Sequence, residues 1–368
     1  MKTYIICTSP PGKAVSDYFF LIAKKICENG NKVVVITDGN KPERLPSNTE
    51  NETFLSWPSK RPTSFKDFIF FYKVCRKYKP DITLGQFGSA NIVAIASRLS
   101  GVKNVFCYWH TKAEQLFADS KHSAAKIRFQ VWRKNIILNL FFTKILTNSS
   151  DTKKSLIDFF DVRPGRIFLM PLLIPDFFKD KNIGSDTASR NKISFVARLD
   201  KSKGHEMVMK DLQKIVAAYP QLIIYFIGDG PEKERLQSIA SSLNISDNII
   251  FTGNISLSEV YNYMSASLIH ISASRDEAFG LVNVEALSAG TPILAPEVGG
   301  IKEILMDGYN GFFYKPAKKE DLFEKVQDIL NGDWKKISEN ARQSFIQYFS
   351  ASAENIAKQV TSIEQLVS

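Results

Sequence analysis

The chain has 368 residues, 44% of them hydrophobic and 23% charged, with a net charge of +10; that is a length for two domains and a composition that excludes disordered and fibrous classes. No apolar run approaches the roughly 20 residues of a membrane-spanning helix, and the start, "MKTYIICTSPP", stops at prolines and reads as a first strand instead of a secretory signal, so a cytoplasmic location is expected. The charge is uneven: residues 1–180 carry 28 Lys and Arg against 15 Asp and Glu, and residues 181–368 carry 20 against 23, which points the first half toward an anionic partner or, on the plainer view, toward solubility.

In chain order, "TYIICTS", "KVVVITDG", "DITLGQFG", "NVFCYWH" and "KILTNSS" read as strands, and "AVSDYFFLIAKKICENG", "FKDFIFFYKVCRKYK" and "ANIVAIASRLSG" as amphipathic helices between them. That rhythm predicts a parallel sheet with right-handed crossovers. The polar stretch at 179–192 interrupts it, and the same rhythm restarts with "ISFVARLD", "LIIYFIGDG", "NIIFTG", "LIHISAS", "PILAP" and "GFFY". The expected fold class is α/β with two Rossmann-like parallel-sheet domains facing a cleft, and ligands at the carboxyl ends of the strands. The domains are placed at 1–180 and 181–345, with a helix at 346–368 packing back toward the first. Cys7, Cys27, Cys75 and Cys107 form no Cys-x-x-Cys pair, lie in apolar segments and read as buried reduced thiols.

The stretch "EAFGLVNVEALSAGTP" (277–292) carries the chemistry. Gly280 lets the backbone approach a ligand where a helix begins, and the unpaired N–H groups of Gly280, Leu281 and Val282 make a phosphate site. Glu277 lies in the preceding loop and Glu285 one turn into the helix. Two carboxylates flanking a diphosphate suit the vicinal hydroxyls at the two ends of a nucleotide sugar. Arg198 and Lys203, in "VARLDKSKGHE", leave another strand end and supply the cations such a ligand needs. Taken singly, each of these residues is better read as ordinary surface charge; their combination argues otherwise.

Together these segments resemble glycosyltransferase family 4, the retaining nucleotide-sugar transferases of GT-B fold. The resemblance rests on Glu277, Phe279, Gly280, Leu281 and Glu285, on Gly290, Pro292, Gly299, Gly300 and Glu303, on Arg198, Lys203 and Gly204, and on "GDGP" (228–231), "NAR" (340–342) and "FS" (349–350). It covers nearly all of the second domain. Over the first domain it is looser, because "SPPGKA" offers only Gly12 where the family has a glycine-rich loop. The resemblance implies that Arg198 and Lys203 bind the donor diphosphate, the backbone at 280–282 adds donors, Glu285 holds the ribose and Glu277 the sugar. It also implies that His110, at the end of "NVFCYWH", joins the active site; Ser149 and Ser150 are weaker candidates.

No two aspartates lie two apart, so the Asp-x-Asp metal motif is missing; no metal or other cofactor is expected, with Arg and Lys as the electrophilic pair. The expected partners are a nucleotide-sugar donor, UDP-linked before others, and a saccharide or lipid-linked acceptor of bacterial cell-surface polysaccharide or lipopolysaccharide. An anionic membrane surface is a further expected partner, through the basic first domain, whose segments 60–79 and 121–142 mix Lys and Arg with large apolar residues as membrane-surface helices do; both also fit helices that simply cover a sheet. Alternative readings are a GT-B-fold epimerase or phosphorylase and a nucleic-acid binder. The basic half carries no nucleic-acid motif, so no nucleic acid is expected.

Overall fold

The computed structural model describes residues 1–38, 45–114, 124–179 and 191–367. The domain boundary expected at 180/181 lies outside the described residues. The chain forms two compact units, Met1–Ile174 with Ala351–Ser368, and Pro175–Ser350.

Among the described residues the first unit holds a seven-stranded parallel sheet of β1 (Thr3–Cys7), β2 (Lys32–Thr37), β3 (Glu52–Ser56), β4 (Ile82–Gln86), β5 (Asn104–Trp109), β6 (Lys144–Thr147) and β7 (Ile167–Leu169). Its order is β3-β2-β1-β4-β5-β6-β7, with every pair parallel. Strands covered on both faces read as near-continuous apolar runs, as in "KVVVIT". Alternation turns Ile5, Cys7, Val34, Ile36, Val105 and Cys107 to one face, where they form a core with Phe71, Val93 and Phe160 from three helices. Tyr18 and Phe19, on the helix Ala14–Glu28, pack their rings against one another at 4.9 Å, and Phe19 meets Tyr108 at 5.0 Å.

Two strands carry too little signal for the sequence reading. Glu52–Ser56 and Ile167–Leu169 are the outer strands of the sheet, short and mostly half-buried, and an edge strand does not need the two-sided apolar pattern that marks a central one. The helix Ala353–Gln365 belongs to this unit: Tyr18 Oη donates to Gln359 Oε1 at 2.5 Å, and Gln359 Nε2 donates to the Pro171 carbonyl at 2.8 Å.

The second unit repeats the plan with β8 (Lys192–Val196), β9 (Ile223–Ile227), β10 (Ile249–Gly253), β11 (Ser267–Ile271), β12 (Ile293–Pro296) and β13 (Gly311–Tyr314). The order is β10-β9-β8-β11-β12-β13. Phe195, Phe226, Leu212, Ile269, Leu294 and Val326 lie in its core. Arg342 grips Asp176 with two nitrogens, at 2.8 and 2.6 Å, and also donates to the Ser288 carbonyl at 2.9 Å. That fork ties the helix Trp334–Ser344 to the start of the unit. All four cysteines are free; burial pushes the Cys75 and Cys107 thiols up to about 12, which makes them inert packing groups.

Candidate active site

In the second sheet the chain winds from β8 to β10 in one direction and from β11 to β13 in the other, so the β8–β11 pair is the switch point. The loops leaving the carboxyl ends of two such strands diverge and leave a crevice between them. Here those loops are 197–204 and 272–280, and they enclose a cavity of 220 Å³ lined by residues of both.

Local chemistry shapes each loop. Asp200 accepts from the Ser202 amide at 2.9 Å and so closes the turn that carries Lys203. Gly204 follows with φ +67°, and a Cβ built there would fall 2.0 Å from the Ala273 carbonyl oxygen. Only glycine permits that approach. The Arg275 amide donates to the Ser202 carbonyl at 3.0 Å, stitching the two loops together. From the other side the Gly300 amide donates to the Glu277 carbonyl at 2.8 Å, and Phe279, only 4% exposed, anchors the backbone by packing near Phe349.

The sequence places Lys203 and Glu277 far apart; the structure joins them. Lys203 Nζ lies 2.7 Å from Glu277 Oε2, and Ser274 Oγ donates to the same oxygen at 3.3 Å. The ammonium thereby offsets a carboxylate that would repel an incoming phosphate. Arg198 lines the same cavity but leaves most of its side chain in solvent, 3.8 Å from Asp200, so its guanidinium remains available. Gly280 caps the helix Leu281–Ser288 with φ +93° and no side-chain hydrogen bond, and the backbone at Leu281 and Val282 lines the cavity. An uncapped helix start presents unpaired N–H groups and a partial positive charge.

The structure therefore gathers Arg198, Lys203, Glu277, Gly280, Leu281 and Val282 around one cavity. Glu285 sits on the helix beyond that lining, half-buried, and burial pushes its carboxyl up to about 7. Phe279 contributes backbone position, its ring being turned into the interior. His110 belongs to the first unit and lines a different cavity; burial pushes its imidazole down to about 4, so it is neutral at pH 7. Gly12 has φ +105° and donates its amide to Asp17 Oδ1 at 2.7 Å, outside both linings. Ser149 caps the helix Ser150–Phe160 by accepting from the Thr152 amide.

Among the cavity residues that escape the sequence reading are Ser274, His205, His270 and Asn283. His205 is 3% and His270 1% exposed, and burial pushes them down to about 4 and about 3. Ser194 Oγ lies 3.3 Å from His270 Nδ1. The position of His205 directly after Gly204 was the available signal; His270, inside "LIHIS", had none, because only strand adjacency brings it to the site.

Comparison with known proteins agrees with this architecture. The profile of the family described as Glycosyl transferases group 1 matches residues 176–348, and that of Glycosyltransferase Family 4 matches 15–175. An uncharacterized glycosyltransferase of Methanocaldococcus jannaschii is 34% identical over 119 residues, 32% of this chain and 34% of that one, so the matched stretch spans about a third of that relative. The phosphatidylinositol N-acetylglucosaminyltransferase gpi3 subunit of Schizosaccharomyces pombe is 23% identical over 337 residues, 87% of this chain and 70% of that one. The crystal structure of Anabaena HepE in complex with UDP and glucose superposes with a TM-score of 0.73 at 18% identity, covering 99% of this chain and all of that one. With the two profiles taking in each unit in turn and the fold shared end to end, the chain belongs to glycosyltransferase family 4 and has the GT-B fold.

Proposed function

We propose that the chain is a retaining, metal-independent transferase that moves a sugar from a nucleotide-diphosphate donor, a UDP-sugar before others, to a saccharide or lipid-linked acceptor in cell-surface polysaccharide or lipopolysaccharide synthesis. The cavity at the β8–β11 switch point carries this reading: one part-buried ion pair, one largely exposed guanidinium loosely paired with Asp200 and one helix start without a side-chain cap line a single space. A departing nucleoside diphosphate needs donors fixed before the reaction begins, and these are held on rigid elements. Arg198, Lys203 and the amides at 281–282 take the diphosphate, Glu277 the sugar and Glu285 the ribose hydroxyls, with His110 contributing from the first unit as a neutral hydrogen-bonding group. The UDP and glucose of the HepE complex support the donor class, and the phosphatidylinositol in the name of the yeast relative supports a lipid-linked acceptor.

A thermal-shift panel of UDP-, GDP- and ADP-sugars, run with EDTA present, tests the reading. A UDP-sugar is expected to raise the Tm of the wild type and to do so less for Glu285→Ala. If no nucleotide sugar stabilises the chain, or if chelation abolishes the effect and added metal restores it, the donor assignment fails. Product analysis with and without acceptor separates transfer from epimerase or phosphorylase chemistry.

A further inference from the structure

The first unit contains a second cavity, of 280 Å³, whose residues, His110 apart, the donor chemistry does not use. It opens among the carboxyl ends of β4 and β5 and the segment that follows the helix Ala124–Ile136. Trp109, Ile137, Leu138 and Phe142 give it apolar walls. Into this space comes a cation: Lys134, half-buried, with its ammonium 5.0 Å from the centre of the Trp109 ring.

An ammonium in apolar surroundings loses much of its hydration, and an aromatic face returns only part of it. Among the described residues no carboxylate lies within ion-pair distance of Lys134, while Arg133 beside it adds a like charge. Burial first, and that like charge as well, hold the Lys134 pKa below its ordinary value. The backbone adds to the same potential. Gly88, Ala90 and Asn91 line the cavity where the 3-10 turn Phe87–Ser89 runs into the ten-residue helix Ala90–Leu99. The positive end of the helix and the lysine thus act on one space.

We propose that this cavity binds the phosphate group of an alkyl phosphate, with Lys134 pairing the anion and Trp109, Ile137, Leu138 and Phe142 enclosing the first carbons of its chain. An anion completes the cation, and the apolar walls select an organic part without hydroxyls, which favours a lipid phosphate over a free phosphate or sugar phosphate. His110 lines this cavity as well; as the pocket for a phosphate-bearing acceptor it rests on the transfer reading above, whereas the binding itself does not.

The test uses the full chain and three probes: hexyl phosphate below its aggregation concentration, hexan-1-ol, and inorganic phosphate. Hexyl phosphate is expected to raise the Tm of the wild type, with inorganic phosphate weaker and hexanol without effect. Lys134→Met should weaken hexyl phosphate binding by about tenfold, the worth of one charge-assisted contact, and Lys134→Arg should restore most of it. Without ligand, Lys134→Met should be at least as stable as the wild type, because an unpaired charge is removed at nearly constant volume. As a measurement that needs no variant, hexyl phosphate should slow acetylation of Lys134 read by mass spectrometry. Equal shifts from hexanol and hexyl phosphate, a phosphate ion that binds as well as the ester, unchanged binding in Lys134→Met, or no protection from acetylation would each overturn the proposal. The UDP-sugar shift should persist in Lys134→Met; its loss in the wild type would sink the transfer reading alone.

Discussion

Among the described residues Glu285 is a carboxyl that has given up water without gaining a cation. Burial raises its pKa from 4.5 to about 7, so near neutrality it is only part ionised, while accepting two hydroxyl hydrogens requires the carboxylate. Donor binding should therefore tighten as pH rises from 6 to 8. The KM for the donor is expected to fall several-fold over that range in the wild type and to stay flat in Glu285→Gln, at a value about tenfold higher. A wild-type KM that does not respond to pH would place the ribose elsewhere. Glu277, unlike Glu285, has a cation beside it: Lys203 stands 2.7 Å away.

At the scale of elements, the site depends on two loops being pressed together more closely than any side chain allows. Gly204 fixes the end of the first loop against the Ala273 carbonyl of the second, and the Arg275–Ser202 backbone bond holds the same seam. Gly204→Ala would combine a positive φ with a 2.0 Å overlap on backbone, so a loss of about 2–4 kcal/mol in denaturant unfolding is expected. The same substitution should weaken UDP-sugar binding, since Lys203 is carried by that turn. Full stability in Gly204→Ala would mean that the loops separate freely and are not a rigid frame. The helix Leu281–Ser288 shows why its start matters more than its length: its eight residues place an uncapped N-terminus exactly one residue after the glycine that bends toward the cavity.

For the whole molecule, buried neutral histidines set the acid limit. His205 and His270 have pKa values pushed down from 6.5 to about 4 and about 3. The unfolded chain takes up their protons more readily, so the stability they contribute is complete above pH 6.5 and is lost as pH falls below it. At pH 5 each costs about 2 kcal/mol relative to pH 7.5. Glu285 runs the other way over the same range: between 4.5 and about 7 its ionisation costs the folded chain stability as pH rises, so on acidification it offsets about one of the two histidines. The Tm is expected to drop between pH 7 and pH 5, and His270→Gln should flatten the slope. An unchanged slope in that variant would put the acid sensitivity elsewhere.

The charge of the first half has a surface to match. Phe129 and Trp132 are 57% and 59% exposed on the helix Ala124–Ile136, and Phe65 is 75% exposed at the start of the helix Phe65–Tyr78, both helices being rich in Lys and Arg. Weak, salt-sensitive binding to anionic bilayers is expected in liposome co-sedimentation, reduced by Phe129→Ser with Trp132→Ser. Equal binding to neutral and anionic vesicles would remove a membrane role. None of the described helices is long and apolar enough to cross a membrane.

The sequence by itself determined what periodicity and spacing can encode: two parallel α/β sheets, the buried thiols of Cys7, Cys75 and Cys107 though not of the half-buried Cys27, and the glycine-opened helix start between Glu277 and Glu285. These are local, since a strand buried on both faces must be apolar throughout and a helix start must free its amides. Only the tertiary structure decided which loops meet. That β8 lies beside β11, 74 residues from Lys203 to Glu277, follows from winding the chain in two directions from one strand, a choice no short window records. The same adjacency buried His205 and His270 and made them neutral; in the first unit it was the order of the other sheet that left β3 and β7 at edges where their pattern could be weak, and long-range packing that placed the helix Ala353–Gln365 there. A residue's type fixes what it can bind; the burial and neighbours that tune it come from contacts distant in sequence.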